Sequence, residues 1–209
     1  MLDILEKGGI LLWPIGLCSL IGWFVFFQRL FVFRIASGNK VFGNDIYGQI
    51  AAGAIEDARR SVNLQNRWKR SRLSARDRLL LDLLEGDVRD RITLETILGH
   101  GVEKEIKHLS SHLSTLATLG NISPLLGLLG TVIGMIKAFI VVEEMGGRVN
   151  ASVLAGGIWE AMLTTALGLI VAIPLMIFHS YLLGRLNDIQ TDLEDVAVGL
   201  IRIWPTIPR

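Results

Sequence analysis

The chain has 209 residues, 51% of them hydrophobic and 20% charged, with a formal net charge of +1 and a mean hydropathy of +0.48. So small a charge gives no overall bias toward nucleic acid or an acidic partner, and the length allows one or two domains. The apolar residues fall in three blocks separated by polar chain, the pattern of a membrane protein with a soluble part.

The tail "MLDILEKGG" carries Asp3, Glu6 and Lys7. The next block, "GGILLWPIGLCSLIGWFVFF" at 8–27, has no charge and is close to the roughly 20 residues that a bilayer-crossing helix needs. A cleaved signal peptide would open on basic residues and close on an A-x-A-like site. This run does neither, and Arg29 and Arg34 follow it. Residues 1–33 are therefore read as an outer tail and a first transmembrane helix. Cys18, inside that span, forms no intrachain disulfide because it is the single cysteine, and it is read as a small buried hydrophobe.

Residues 34–112 are read as a cytoplasmic helical domain. "NDIYGQIAAGAIEDARR" has a possible cap at Asn44 and helically spaced apolar positions. "SVNLQNRWKRSRLS", with Arg67, Trp68, Lys69, Arg70 and Arg72, is read as a connection facing water or anionic lipid headgroups rather than nucleic acid. The stretch from Ser74 to Gly120 predicts one or two long helices, the last running unbroken into the second span, because no proline or glycine pair stops it before Pro124. His108 and His112 stand at i, i+4 with His100 two turns earlier. No third metal ligand accompanies them, and they are read as a solvated face. No strand-like alternation and no internal repeat stands out.

Residues 113–142 form a second span, 143–152 a short outer loop and 153–183 a third span. Arg29, Arg34, Lys40, Lys104, Lys107 and Arg185 flank the polar segments, while the short loop has only Arg148 and the tail only Lys7. The positive-inside rule then puts 34–112 and the C-terminal 184–209 in the cytoplasm, and the N-terminus and the short loop outside. Leu182, Leu186, Ile189, Leu193, Val196, Leu200 and Ile203 make a heptad seam, which predicts a C-terminal helix packed either on the chain's own helices or on a second copy. Pro205 and Pro208 end it.

The second span holds "GNISPLLGLLGTVIGMIKAF". Ser123, Gly127 and Thr131 recur at four-residue steps, as do Gly130 and Gly134, and such stripes let helix backbones approach closely in lipid. The glycines make no phosphate loop, for no Lys-Ser/Thr follows them. The third span has a matching stripe of Gly157, Ala161, Thr165, Gly168 and Ala172. The two spans are expected to be neighbours, with Thr131 and Thr165 near the contact, and Pro174 is expected to free a carbonyl one turn back. Lys137 is read as pairing with Glu143 or Glu144 or snorkelling to the interface, ahead of any channel role.

Glu160 stands alone in "GGIWEAMLTTALGLIVAIPL". A carboxylate there costs several kcal/mol unless it meets protein, water, a cation or a proton. Thr164 follows one turn later on the same side, and Thr165 lies about 140° around the helix. Glu160, Thr164 and Thr165 would suit a narrow hydrated path, and an acid so placed suits the uptake and release of protons. The bland alternative is a structural glutamate bonded across a helix interface. No G-x-S-x-G, H-E-x-x-H or cysteine pair is present, so no enzyme, metal or cofactor is expected.

"SPLLGLLGTVIGMIKAF" followed by "GGIWEAMLTTALGLIVAIP" resembles the ExbB/TolQ/MotA proton-channel family, in its ExbB and TolQ branch. The motifs cover about residues 95–185. MotA-type proteins, with four spans and no such glutamate, resemble it less. The resemblance implies an all-α membrane protein of three transmembrane helices with long cytoplasmic extensions, assembled as a pentameric ring in the bacterial inner membrane. It also implies an ExbD- or TolR-like single-span partner whose membrane aspartate takes the proton, and a TonB- or TolA-like protein that carries the work onward. By the same resemblance Thr131, Glu160 and Thr165 are the proton-pathway residues, and Pro174 is the proline that follows them. Ser123, where the family usually has alanine, and Trp159, where a small residue is common, depart from the pattern. Thr164 competes with Thr165 as companion of Glu160, geometry favouring the first and the resemblance the second. Two readings from different classes therefore stand, a proton-conducting motor subunit and a non-conducting scaffold. A solute transporter would call for an inverted repeat that three spans do not provide.

Overall fold

The computed structural model describes residues 11–38, 47–54, 57–58, 60, 73–86, 88, 90–145 and 151–203, without the side chains of 151–153. The N-terminal tail, Lys40, Asn44, the basic run 61–72, Arg148, Pro205 and Pro208 lie outside the described residues. Among the described residues five helices dominate: α1 Leu12–Ala36, α2 Ala75–Glu85, α3 Arg91–Ser110, α4 Leu113–Glu144 and α5 Ala151–Ile203. No strand occurs among the described residues. Among the described residues three helical stretches are long and apolar enough to cross a membrane: α1, α3 with α4, and α5. In lipid a chain must satisfy its backbone within itself, and a helix does so without a partner.

The chain divides into two compact units, Met1–Gln28 with His112–Tyr181, and Arg29–Ser111 with Leu182–Arg209. In the first unit α1 packs on α5. Phe26 stacks on Phe178 with ring centroids 3.8 Å apart, and Trp23 meets the same ring edge-on at 4.9 Å. Gly22 lies against the side chain of Leu175, which would have to shift to admit a methyl there. Cys18 is buried. The outward side chains of this unit are apolar, Trp13 79% and Leu20 75% exposed. In water that arrangement would be costly, and in a bilayer it is the expected solvent-facing surface.

The second unit is built as a water-soluble domain is. Ser74 and Asp77 form a reciprocal capping box at the start of α2, each side chain accepting from the other's backbone N–H at 3.2 and 3.3 Å. Asp90 caps α3 by accepting from the Thr93 N–H at 2.6 Å. Arg78 ties α2 to α3, giving two hydrogen bonds to one oxygen of the mostly buried Glu105 at 2.9 and 2.7 Å. Leu79, Leu80, Leu94, Leu98 and Leu109 are buried, and so are Leu182, Leu186, Leu193, Val196 and Leu200 of the heptad seam. Leu98, Val102 and Ile106 of α3 line one groove with Ala197 and Ile201 of α5. The seam is therefore covered within its own chain. His100, His108 and His112 are exposed.

The expected unbroken helix into the second span is interrupted. Ser111 and His112 separate α3 from α4, and His112 is left-handed at φ 64°, ψ −5°. Arg29, buried near the end of α1, donates to the Ser111 hydroxyl at 2.7 Å and to the His108 carbonyl at 3.4 Å. A helix end leaves carbonyls without intrahelical partners, and the guanidinium takes up one of them. "KHLSSHLS" contains no glycine or proline, but the Ser111 hydroxyl donates locally to the His108 carbonyl at 2.9 Å, and Arg29, 82 residues earlier in the chain, adds a bond from afar.

Candidate functional site

α4 and α5 meet along small residues. On α4 the buried positions are Gly120, Ser123, Gly127, Gly130, Gly134 and Ala138. Facing contacts run Gly120 to Met176, Gly127 to Thr164 and Thr165, Gly134 to Ala161, and Gly157 to Ala138. One number rises as the other falls, so the helices are antiparallel. At the glycine positions the backbones are close enough that even a methyl would force a shift. A methyl on Gly168 would stand 2.7 Å from the Ser123 carbonyl, one on Gly127 3.0 Å from the Thr165 Cα, and one on Gly130 would strike the Thr164 side chain. Such contact replaces the hydrophobic drive that lipid does not supply.

The seam differs from the expected stripe at two positions. Steps of 3 are mixed with steps of 4, as a period of 3.6 requires, so Gly130 rather than Thr131 holds the α4 position. Thr131 is half-buried beside the seam, and its hydroxyl donates to the Leu128 carbonyl of its own helix at 2.6 Å. On α5 the buried series is Ala161, Thr164, Gly168, Ala172 and Leu175, so Thr164 takes the place expected of Thr165. Thr164 is 2% exposed and donates to the Ala161 carbonyl at 2.8 Å, with the Gly127 carbonyl at 3.5 Å. Thr165, half-buried, donates across to that same Gly127 carbonyl at 3.0 Å. All three hydroxyl protons thus rest on backbone carbonyls, two of them on the hydroxyl's own helix. Pro174 lies within α5, which continues past it.

Glu160 sits one residue before the seam position Ala161, at the edge of the contact, its side chain 26% exposed. Its carboxylate accepts from the Lys137 ammonium at 3.4 Å. Lys137 therefore pairs across the seam rather than with Glu143 or Glu144, which are exposed at the C-terminal end of α4. The reason is register: Ala138 faces Gly157, which brings the residue before it alongside Glu160. Sequence reasoning missed this pair, although the signal was available, since 113–142 holds one charged residue and 153–183 one carboxylate. The arrangement can hold a charge on Glu160 at the rim of a membrane-embedded seam and expose it to whatever lies beside the helices. No group of histidine, cysteine and carboxylate side chains suited to a metal occurs among the described residues.

Residues 65–195 match the MotA/TolQ/ExbB proton channel family. The biopolymer transport protein exbB1 of Vibrio cholerae is 32% identical over 207 residues, covering 95% of this chain and 86% of that protein. An ExbB homolog of Methanothermobacter thermautotrophicus is 28% identical over 90% of this chain and 64% of its own length. The Tol-Pal system protein TolQ of Haemophilus influenzae is 36% identical over 91 residues, 44% of this chain and 40% of that protein. The chain thus spans less than two thirds of the length of the Methanothermobacter and Haemophilus proteins.

Proposed function

Because the chain belongs to the MotA/TolQ/ExbB proton channel family, in its ExbB and TolQ branch, we propose that it is the proton-conducting subunit of an inner-membrane complex that turns the proton-motive force into mechanical work. Copies of the chain assemble into a ring around an ExbD- or TolR-like single-span subunit whose membrane aspartate exchanges the proton. A TonB- or TolA-like protein carries the work toward outer-membrane transport or envelope integrity. The N-terminus is periplasmic and the C-terminus cytoplasmic. Family membership and the relatives' names support this reading of partners and place.

The observation that carries the channel reading is the position of Glu160. A glutamate serving only as glue would lie within the seam, fully bonded, where Thr164 lies. Glu160 stands instead at the rim, with part of its carboxylate accessible. The scaffold reading has one observation in its favour, the bond from Lys137, which joins the two helices.

The experiment is proton flux into liposomes holding the chain with its aspartate-bearing partner, followed with a pH-sensitive dye. Glu160→Ala and Thr165→Ala are expected to assemble as the parent does and to lose most of the flux. Full flux in both variants would overturn the channel reading. Unchanged flux in Glu160→Gln, with disassembly of Glu160→Leu, would establish the scaffold instead.

A further inference from the structure

Lys137 and Glu160 are a self-contained pair. Lys137 is the one charged residue of 113–142, and Glu160 the one carboxylate of 153–183. Their charged atoms lie 3.4 Å apart on facing helices, the lysine side chain 54% exposed and the glutamate 26%. Among the described residues little else competes for either group. α1 has no charge between Leu12 and Gln28. On α5 the nearest other titratable residue toward the C-terminus is His179, about five turns away. Glu143 and Glu144 stand about two turns beyond Lys137, at the exposed end of α4. An ionised carboxylate in this setting needs a compensating charge, and an ammonium in the same setting needs one too. Each supplies the other.

The chemistry of the pair also decides what else can bind. A metal cation held by a carboxylate fills its remaining coordination with oxygen. A lysine ammonium offers three donors and no acceptor, and its charge repels the cation. We propose that Lys137 is the built-in counter-ion of Glu160 and so determines which ion the site accepts. A metal cation such as sodium finds its place already filled by the ammonium. A proton acts differently, because it neutralises the carboxylate itself and releases the lysine. Lys137 is thus a positioning and specificity-determining residue. The selectivity part of this inference rests on the reading of Glu160 as the proton site.

Two measurements test it. The first is thermal unfolding of the purified, detergent-solubilised chain, which involves no transport. Lys137→Met and Glu160→Gln are each expected to lower the melting temperature, and the double variant by less than the sum of the two. The second uses the reconstituted complex. Lys137→Met is expected to admit radioactive sodium or to let sodium compete with proton flux, and Lys137→Arg to restore sodium exclusion. Lys137→Gln, which keeps a polar side chain, replaces Lys137→Met if that variant does not assemble. Additive melting shifts together with sodium exclusion in Lys137→Met or Lys137→Gln would overturn the proposal. A wild-type complex that passes no protons would overturn the channel reading, and the selectivity with it, even where the melting coupling survives.

Discussion

Asp90 and the two adjacent threonines show how much one residue's place on a helix decides. Asp90 accepts from the Thr93 N–H, and those hydrogen bonds hold its carboxyl below the usual aspartate value. The ionised form is then favoured by folding, so its stabilising contribution is present above the ordinary pKa of about 3.9 and is lost as pH falls through the lower folded value. Asp90→Asn keeps the cap acceptor but has no proton to gain. Its stability relative to the parent is therefore expected to hold steady from neutrality down to that ordinary value and to improve as pH falls below it. Chemical unfolding of both proteins across that range checks it, and a pH-independent difference would contradict it. The cap was not anticipated from the sequence, although the spacing from Asp90 to Thr93 carries it. Thr164 and Thr165 were both legible as candidates. Their division of labour was not, because four-residue steps drift away from a 3.6-residue period and one position of drift exchanges the two.

At the scale of elements, glycines of α3 and α4 divide by what surrounds them. Gly99 is exposed in α3 with nothing within 4 Å of an added methyl, while Gly130 faces the Thr164 side chain. Gly99→Ala is expected to stabilise by about 0.5–1 kcal/mol, since alanine has less chain entropy to lose in a helix. Gly130→Ala is expected to destabilise by about 1–3 kcal/mol, the usual cost of overpacking. Melting temperatures of the two variants in detergent should move in opposite directions, and a common direction would contradict the seam described here. The three membrane-crossing helices, the close contact of the last two spans and the apolar C-terminal seam were all legible, because each rests on periodicity within one segment. The break at Ser111 and His112 was not, because no glycine or proline marks it, and of the bonds that meet there the one from Arg29 comes from a distant helix. The Lys137–Glu160 bond was hidden for a related reason: it depends on the register between two helices, which composition and spacing within either one do not contain.

At the scale of the whole molecule, the two flanks of the α4–α5 pair matter most. Lys137 and Glu160 each precede a seam position, Ala138 and Ala161. Thr131 and Thr165 each follow one, Gly130 and Thr164. In an antiparallel helix pair, residues that precede seam positions share one flank and residues that follow them share the other, and the Lys137–Glu160 bond obeys that rule. Glu160 and Thr165 are accordingly about 140° apart around α5, on opposite flanks of one chain. A polar path using both is then closed by a second copy. In a closed ring of head-to-tail contacts, one flank of each copy meets the other flank of the next. The proposed self-assembly therefore predicts a composite site, with Glu160 from one chain and Thr165 from its neighbour. Glu160→Gln chains co-assembled with Thr165→Val chains contain some interfaces at which an intact Glu160 meets an intact Thr165. Complexes purified through tags on both chains are expected to pass protons at a partial rate, above that of either variant alone. Flux no greater than in the single-variant rings would place the path along one chain instead, and would require Glu160 to leave Lys137 and turn across the seam to reach the threonines.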